Sequence, residues 1–296
     1  MNDMKENDKI IPLDRGNKNQ RSEFHKYISV VFPGISFQEW YSKGFWTEKY
    51  LPFSIYESGK IISNVSVSFM NIILNDKKVN AIQLGAVGTL PEYRHQGLSR
   101  QIMNFVIEKY VNDVDFFFLY SNESTIEFYI KFGFWEMKEN IFLAESNIIK
   151  PKYTARKLDI RLESDYLLLQ NILNDRLTLT RIFGAEKYGF ITMWHILNLY
   201  QDKLYYLEKE KIIVIKEENN NSLCILDIIF SGSIDMQSLL PKIIESDSIQ
   251  YIKYSFPPDI VKFSYDTILQ EDTGLFILGD MDMGNKPFRF PEMAIT

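Results

Sequence analysis

Between Gly85 and Ser99 the chain reads GAVGTLPEYRHQGLS. The residues leading into it, from Val79 to Leu90, read as a strand, and Pro91 closes that strand because it has no N–H to give to a ladder. An Arg-x-x-Gly-x-Ser loop follows, carried by Arg94, Gly97 and Ser99. Leu98 to Val111 then places Ile102, Phe105, Val106 and Val111 on one helical stripe. A strand that passes through a short glycine loop into a helix presents free backbone N–H groups and the positive end of the helix dipole. A glycine at 97 lets the backbone come close to an anion. The arrangement suits a pyrophosphate. It has neither the GK[ST] ending of one common nucleotide loop nor the GxGxxG of the other.

The surrounding pattern predicts a mixed α/β (α+β) chain. Before the loop come a short strand at Lys9–Leu13, a helix at Ser22–Phe32 and a second short helix capped by Ser36, which carries Phe37, Trp40 and Tyr41. Strands are expected at Leu51–Tyr56 and Lys60–Leu74. After the loop helix, Asp115–Tyr120 is apolar enough for a central buried strand. Asn122–Phe132 reads as a helix ended by Gly133. Phe134–Met137 and Ile141–Ala144 are short strands. Lys150-Pro151-Lys152 reads as a linker. Beyond it, helices are expected at Asp165–Leu173, Phe190–Tyr200 and Met236–Glu245. Strands are expected at Leu204–Ile215, Leu223–Phe230, Gln250–Phe256, Leu275–Leu278 and Phe288–Phe290.

A second motif lies one helix and one strand after the first. Asn122 to Phe134 reads NESTIEFYIKFGF. Together the two segments resemble the GNAT superfamily of acyl-CoA-dependent N-acyltransferases. Arg94, Gly97 and Ser99 stand where that family has Gln/Arg-x-x-Gly-x-Gly/Ala. Asn122, Phe128, Tyr129, Lys131, Gly133 and Phe134 stand in its N-x-x-A-x-x-F-Y-x-K-x-G-F segment. Three positions depart from the pattern: Ser99 replaces Gly or Ala, His95 a typical Gly, and Thr125 an Ala. The resemblance covers roughly residues 8–146 and implies a central mixed, mostly antiparallel sheet flanked by helices. It implies acetyl-CoA as cosubstrate, its pantetheine against the backbone of Ala86, Val87 and Thr89. Its pyrophosphate would rest on the loop from Arg94 through His95, Gln96, Gly97, Leu98 and Ser99 to Arg100. Asn122 reads both as a helix cap and as a cofactor contact.

By the same resemblance, an amine attacks the thioester directly, a backbone N–H near Val87 holds the oxyanion, and Tyr129 protonates the leaving thiolate. A tyrosine of ordinary pKa, about 10, keeps its proton at neutral pH. On its own pattern Tyr129 also reads as an amphipathic-helix residue packed beside Phe128. Some family members carry a glutamate as base eleven residues before the loop arginine; Gln83 stands there, and an amide takes no proton. One alternative is the carboxylate of Thr296, because the tail FRFPEMAIT looks ordered and a terminal carboxylate can serve this way in the enhanced intracellular survival acetyltransferases.

Two tandem domains are expected, 1–149 with the acyl-CoA site and 150–296 without a cofactor loop. The order of elements in the second resembles a degenerate GNAT-like domain that covers the first and completes an acceptor pocket. Residues 1–150 hold 17 basic and 18 acidic side chains, and residues 151–296 hold 16 and 21. That surplus reads as a solubilising surface or as an attraction for a cationic amine. Trp40, Tyr41, Phe45 and Trp46 are candidates for the acceptor pocket or for the apolar face of short helices. Cys224 and His195 read as core residues. With His25, His95 and His195 far apart, no metal site is expected. A net charge of −6 argues against a nucleic-acid partner. No apolar run is long enough to span a membrane, and Met1–Lys9 is polar, unlike a signal peptide, so a cytoplasmic address is expected. The expected partner is a small-molecule or peptide amine. The competing reading is a non-catalytic acyl-CoA sensor.

Overall fold

Ile61, Ile62, Val65 and Val67 favour extended backbone. Lys60–Leu74 accordingly forms a 15-residue strand in a computed structural model that describes residues 10–146, 152–260, 264–272 and 274–296. In chain order the first elements are β1 (Ile10–Pro12), α1 (Lys18–Val31), α2 (Gln38–Ser42), β2 (Tyr50–Glu57), β3 (Lys60–Leu74) and β4 (Lys77–Thr89). Then come α3 (Leu98–Tyr110), β5 (Phe116–Tyr120), α4 (Ile126–Ile130), β6 (Trp135–Met137), β7 (Asn140–Glu145) and β8 (Arg156–Lys157). The chain continues with α5 (Glu163–Asn174), β9 (Phe183–Glu186), α6 (Gly189–His195), β10 (Leu204–Leu207), β11 (Ile212–Asn219) and β12 (Ser222–Ile229). The last are α7 (Met236–Ile243), β13 (Tyr251–Tyr254), β14 (Asp266–Leu269) and β15 (Leu275–Gly279).

The strands form two sheets. The first runs β1-β2-β3-β4-β5-β15-β6, with β9 also on β3; the second runs β14-β7-β13-β12-β11-β10-β8. Each sheet has one parallel pair joined by a helical crossover, β4–α3–β5 in the first and β12–α7–β13 in the second. The other pairings among the described strands are antiparallel. The expected mixed, mostly antiparallel class is the one observed.

The sheets do not divide the chain at 149/150. β15, from the end of the chain, lies between β5 and β6, whereas β7, from the first half, lies between β13 and β14. Leu275, Phe276 and Ile277 are at most 1% exposed, buried on both faces of a central strand. A cut at 149/150 would therefore take β15 out of the first sheet and β7 out of the second.

Other expectations are corrected. Leu204–Ile215 is not one strand: a turn at 208–211, with Lys211 at φ 56°, separates β10 from β11. Phe288–Phe290 is buried but pairs with no strand, because side chains take its amides: Phe288 N–H donates to Asn140 Oδ1 (3.0 Å) and Phe290 N–H to Glu139 Oε1 (2.7 Å). The segment from Asn122 begins as a 3-10 turn, Glu123–Thr125, and only Ile126–Ile130 is α-helical. Ser36 does not occupy the cap position of α2, although its hydroxyl accepts from Gln38 N–H at 3.2 Å. Three short strands, β8, β9 and β14, carried too little pattern to be expected. Met1–Lys9, Lys150 and Pro151 lie outside the described residues.

The second half grips the C-terminal tail through a buried polar cluster. Arg176 makes a bidentate pair with Asp227, 3.0 and 2.9 Å, and the two side chains are 1% and 0% exposed. Arg176 Nη1 also donates to Thr192 Oγ1 (2.9 Å), and that hydroxyl reaches the Met293 carbonyl (3.3 Å). Tyr200 donates to Glu292 Oε1 at 3.0 Å. Glu139, whose pKa burial pushes up to about 7, bridges Tyr120 and the Phe290 amide. Replacing Asp227 with Ala strands a buried guanidinium, at an expected cost of about 3–5 kcal/mol in urea unfolding. The double replacement Arg176→Met/Asp227→Leu is expected to cost clearly less; equal losses would show that the charge is not the cause.

Candidate active site

The two ends of β4 behave differently. From Ala81 to Leu84 it pairs in parallel with Phe116–Leu119 of β5, and there the ladder stops. Beyond Leu84 it stays paired to β3 alone, and between Gly85↔Ser66 and Gly88↔Asn64 two residues, Ala86 and Val87, face the single Val65. This is a β-bulge, with Ala86 in the left-handed region at φ 46°. A bulge leaves backbone groups out of the ladder and turns the strand edge. The Ala86 carbonyl is taken by Asn64 Nδ2 (3.0 Å), so Val87 is the bulge residue left facing the opening.

The loop after β4 is shaped for an anion. Gly97 caps α3 at φ 78° with no side-chain cap, and the first turn of the helix holds no acidic residue. His95 also has a positive φ, 63°, which explains why a glycine suits that position; histidine is among the residues that tolerate it. Ser99 uses its hydroxyl structurally. It lies 2.7 Å from Thr89 Oγ1 and 3.3 Å from Ser63 Oγ, and the Ser63 and Thr89 hydroxyls are 2.9 Å apart. These contacts pin the start of α3 to the ends of β3 and β4.

Two cavities meet beside the bulge. An open groove follows the loop past Thr89, Arg94, His95, Gly97, Leu98, Ser99 and Arg100. A second cavity, of about 280 Å³, lies between the bulge, α1, α2, α6 and the C-terminal tail. Val87, Thr125 and Tyr129 border both. Tyr129 packs edge-on against Phe128 and Phe134, at 5.2 and 6.2 Å, and burial pushes its pKa up to about 12. Its packing and its place between the cavities are compatible. Thr296 borders the second cavity. A Cβ on Gly85 would fall 2.9 Å from the Thr296 main-chain oxygen, so only glycine lets the tail come this close.

Residues 20–137 match the family model described as an acetyltransferase (GNAT) domain. This segment of the chain is a GNAT acetyltransferase domain. Solved structures extend the likeness of fold across both halves. A conserved protein of unknown function from Enterococcus faecalis V583, described as a probable N-acyltransferase, is 12% identical, with a TM-score of 0.59 over 90% of this chain and 71% of that one. The GCN5-related N-acetyltransferase from Kribbella flavida is 11% identical, with a TM-score of 0.54 over 90% and 70%. Eis1 from Mycobacterium abscessus is 14% identical, with a TM-score of 0.54 over 90% and 72%. No curated protein sequence matches the chain.

Within the GNAT domain, most of the expected cofactor residues gather in the groove. Gln96 is exposed and borders neither cavity, and Ala86 borders the second cavity rather than the groove. Asn122 also borders the second cavity. It makes no side-chain cap; its Oδ1 accepts from the Ser124 and Thr125 hydroxyls at 2.6 and 3.2 Å, because the 3-10 turn points the local donors elsewhere. Gln83 is fully buried opposite Ser68, and its amide makes no hydrogen bond among the described residues.

Of the aromatic candidates, Trp40 borders the second cavity, held by a 2.6 Å bond from Nε1 to the Phe190 carbonyl. Tyr41, Phe45 and Trp46 do not border it; Tyr41 lies under the Arg21 guanidinium, and Trp46 packs against Trp40 and Tyr50. Among the described residues the second half contributes Ile191, Trp194 and Thr296, and no acidic side chain. The expectation of an acidic pocket wall is therefore corrected. Several of those carboxylates belong to the other sheet, where Glu218 and Glu245 hold the buried Lys216 and Glu210 holds Lys242.

One residue expected in the core makes a further contact. His195 is buried, but its Nε2 donates to the Ile295 carbonyl at 2.6 Å. Burial lowers its pKa, so the ring is neutral and Nε2 carries the proton. Nothing in the local pattern links it to a tail residue 100 positions away. Among the described residues no group of three or more His, Cys, Asp or Glu is placed to hold a metal ion, and no helix is long and apolar enough to cross a membrane.

Proposed function

We propose that the chain is an acetyl-CoA-dependent N-acetyltransferase that acetylates a primary amine of a small molecule or peptide within a ternary complex. The observation that carries this reading is the junction of the two cavities at Val87 and Tyr129, with Thr296 on the far wall. The groove fits acyl-CoA: a glycine-capped helix start without acidic residues, Arg94 and Arg100 beside it, and a strand edge freed by the bulge. Acyl-CoA supplies the activated acyl group when bound. The amides from His95 to Arg100 would hold its pyrophosphate, and the Val87 N–H would stabilise the negative charge that develops on the acyl oxygen. The amine gives up its proton to water as its nitrogen bonds the acyl carbon. The Tyr129 hydroxyl gives its proton to the sulfur as the carbon–sulfur bond breaks, and its raised pKa keeps it protonated for that purpose. Gln83, buried and unable to accept a proton, takes no part. The protein works in the cytoplasm.

The test is thiol release from acetyl-CoA across a panel of amines, with thermal unfolding in CoA alone as the binding control. The expected result is amine-dependent thiol release together with a CoA-dependent rise in Tm. A rise in Tm with no thiol release from any amine would favour an acyl-CoA sensor instead.

A further inference from the structure

The cavity facing Tyr129 has walls of Ile28, Phe32, Phe37, Trp40, Ile191 and Trp194. Among the described residues no Asp, Glu, Lys or Arg side chain borders it. The aromatic walls brace one another: Phe37 meets Trp40 edge-on at 5.7 Å and Trp194 at 5.8 Å, and Trp40 is fixed by its bond to Phe190. Resting on the acyl-transfer reading above, we propose that the acceptor is a small primary monoamine on an apolar body, aromatic or branched aliphatic, and that polycationic amines are rejected.

The argument is one of charge and solvation. An aromatic or aliphatic body gains by leaving water for walls of this composition. An ammonium group does not, unless a negative charge meets it. Among the described residues no acidic side chain borders the cavity, so an ammonium group carried into it meets no side-chain counter-charge, and each further one adds to the cost. An apolar surrounding disfavours the charged form of the reacting amine, so a monoamine enters in the neutral form that can attack. The net acidity of residues 151–296 does not help a polycation, because none of those side chains borders the cavity.

The experiment uses the full chain, with acetyl-CoA and two sets of amines. Phenethylamine, tryptamine and isoamylamine form one set; spermidine, putrescine and kanamycin form the other. The expected kcat/KM, read from thiol release, is about 100-fold higher for the first set. Equal or better turnover of the polycations overturns this inference while leaving acyl transfer standing. No thiol release from any amine overturns acyl transfer itself, and this inference with it. Ile35 is a second probe, because it borders the cavity and is only partly buried. Ile35→Asp is expected to cut the preference for apolar monoamines about tenfold. An unchanged preference in that folded variant also overturns the proposal.

Discussion

Replacing Tyr129 with Phe is expected to lower kcat by about 10²–10³, within the range general acids contribute, and to leave the Tm shift with CoA unchanged. The substitution keeps the ring that packs against Phe128 and Phe134 and removes only the hydroxyl. Burial pushes the Tyr129 pKa up to about 12, so the hydroxyl remains a donor across the working range. Its own ionisation lies above that range. The wild-type rate is therefore expected to show no fall with rising pH below about pH 11 from this group. A Phe variant that retains full kcat would show that the leaving sulfur needs no proton from Tyr129, and that the residue serves only to pack α4.

Gly85→Ala is the second substitution with a large expected effect, because its new Cβ would lie 2.9 Å from the Thr296 main-chain oxygen and displace the tail from the cavity wall. The expected loss in kcat is about 10²-fold, with little change in the CoA-dependent Tm shift. Full activity in this variant would show that the close approach of the tail is not needed for turnover. His195, Thr192 and Tyr200 set where the tail lies, through the carbonyls of Ile295 and Met293 and the side chain of Glu292.

The interlocked sheets bear on how such experiments should be built. A fragment ending near residue 149 lacks β15 and leaves the edges of β5 and β6 unpaired. It also carries β7 away from its partners β13 and β14. Point substitutions in the whole chain therefore report on the site more cleanly than truncation does.

The loop from Arg94 to Ser99 and the segment around Tyr129 were legible in the sequence because their information is local. A proline ends a strand, a glycine at positive φ starts a helix, and a stripe of apolar residues commits that helix to one face. The mixed, mostly antiparallel class was implied by the family resemblance that those two segments carry. The role of His95 became clear only from its backbone angle, and that of Ser99 only from the neighbouring hydroxyls of Ser63 and Thr89. Periodicity states which face of an element is buried but not which element covers it. The exchange of β7 and β15 is long-range pairing of two apolar strands that look alike in sequence. The apolar wall from α6 and the tail pressed against Gly85 are likewise contacts between residues far apart along the chain. The sequence by itself determined the glycine loop at a helix start and the tyrosine one helix and one strand beyond it, and the resemblance they carry implied the class of fold. Tertiary structure alone decided that the cavity beside Tyr129 has apolar walls and that the tail borders it, because both depend on which distant surfaces exclude water together.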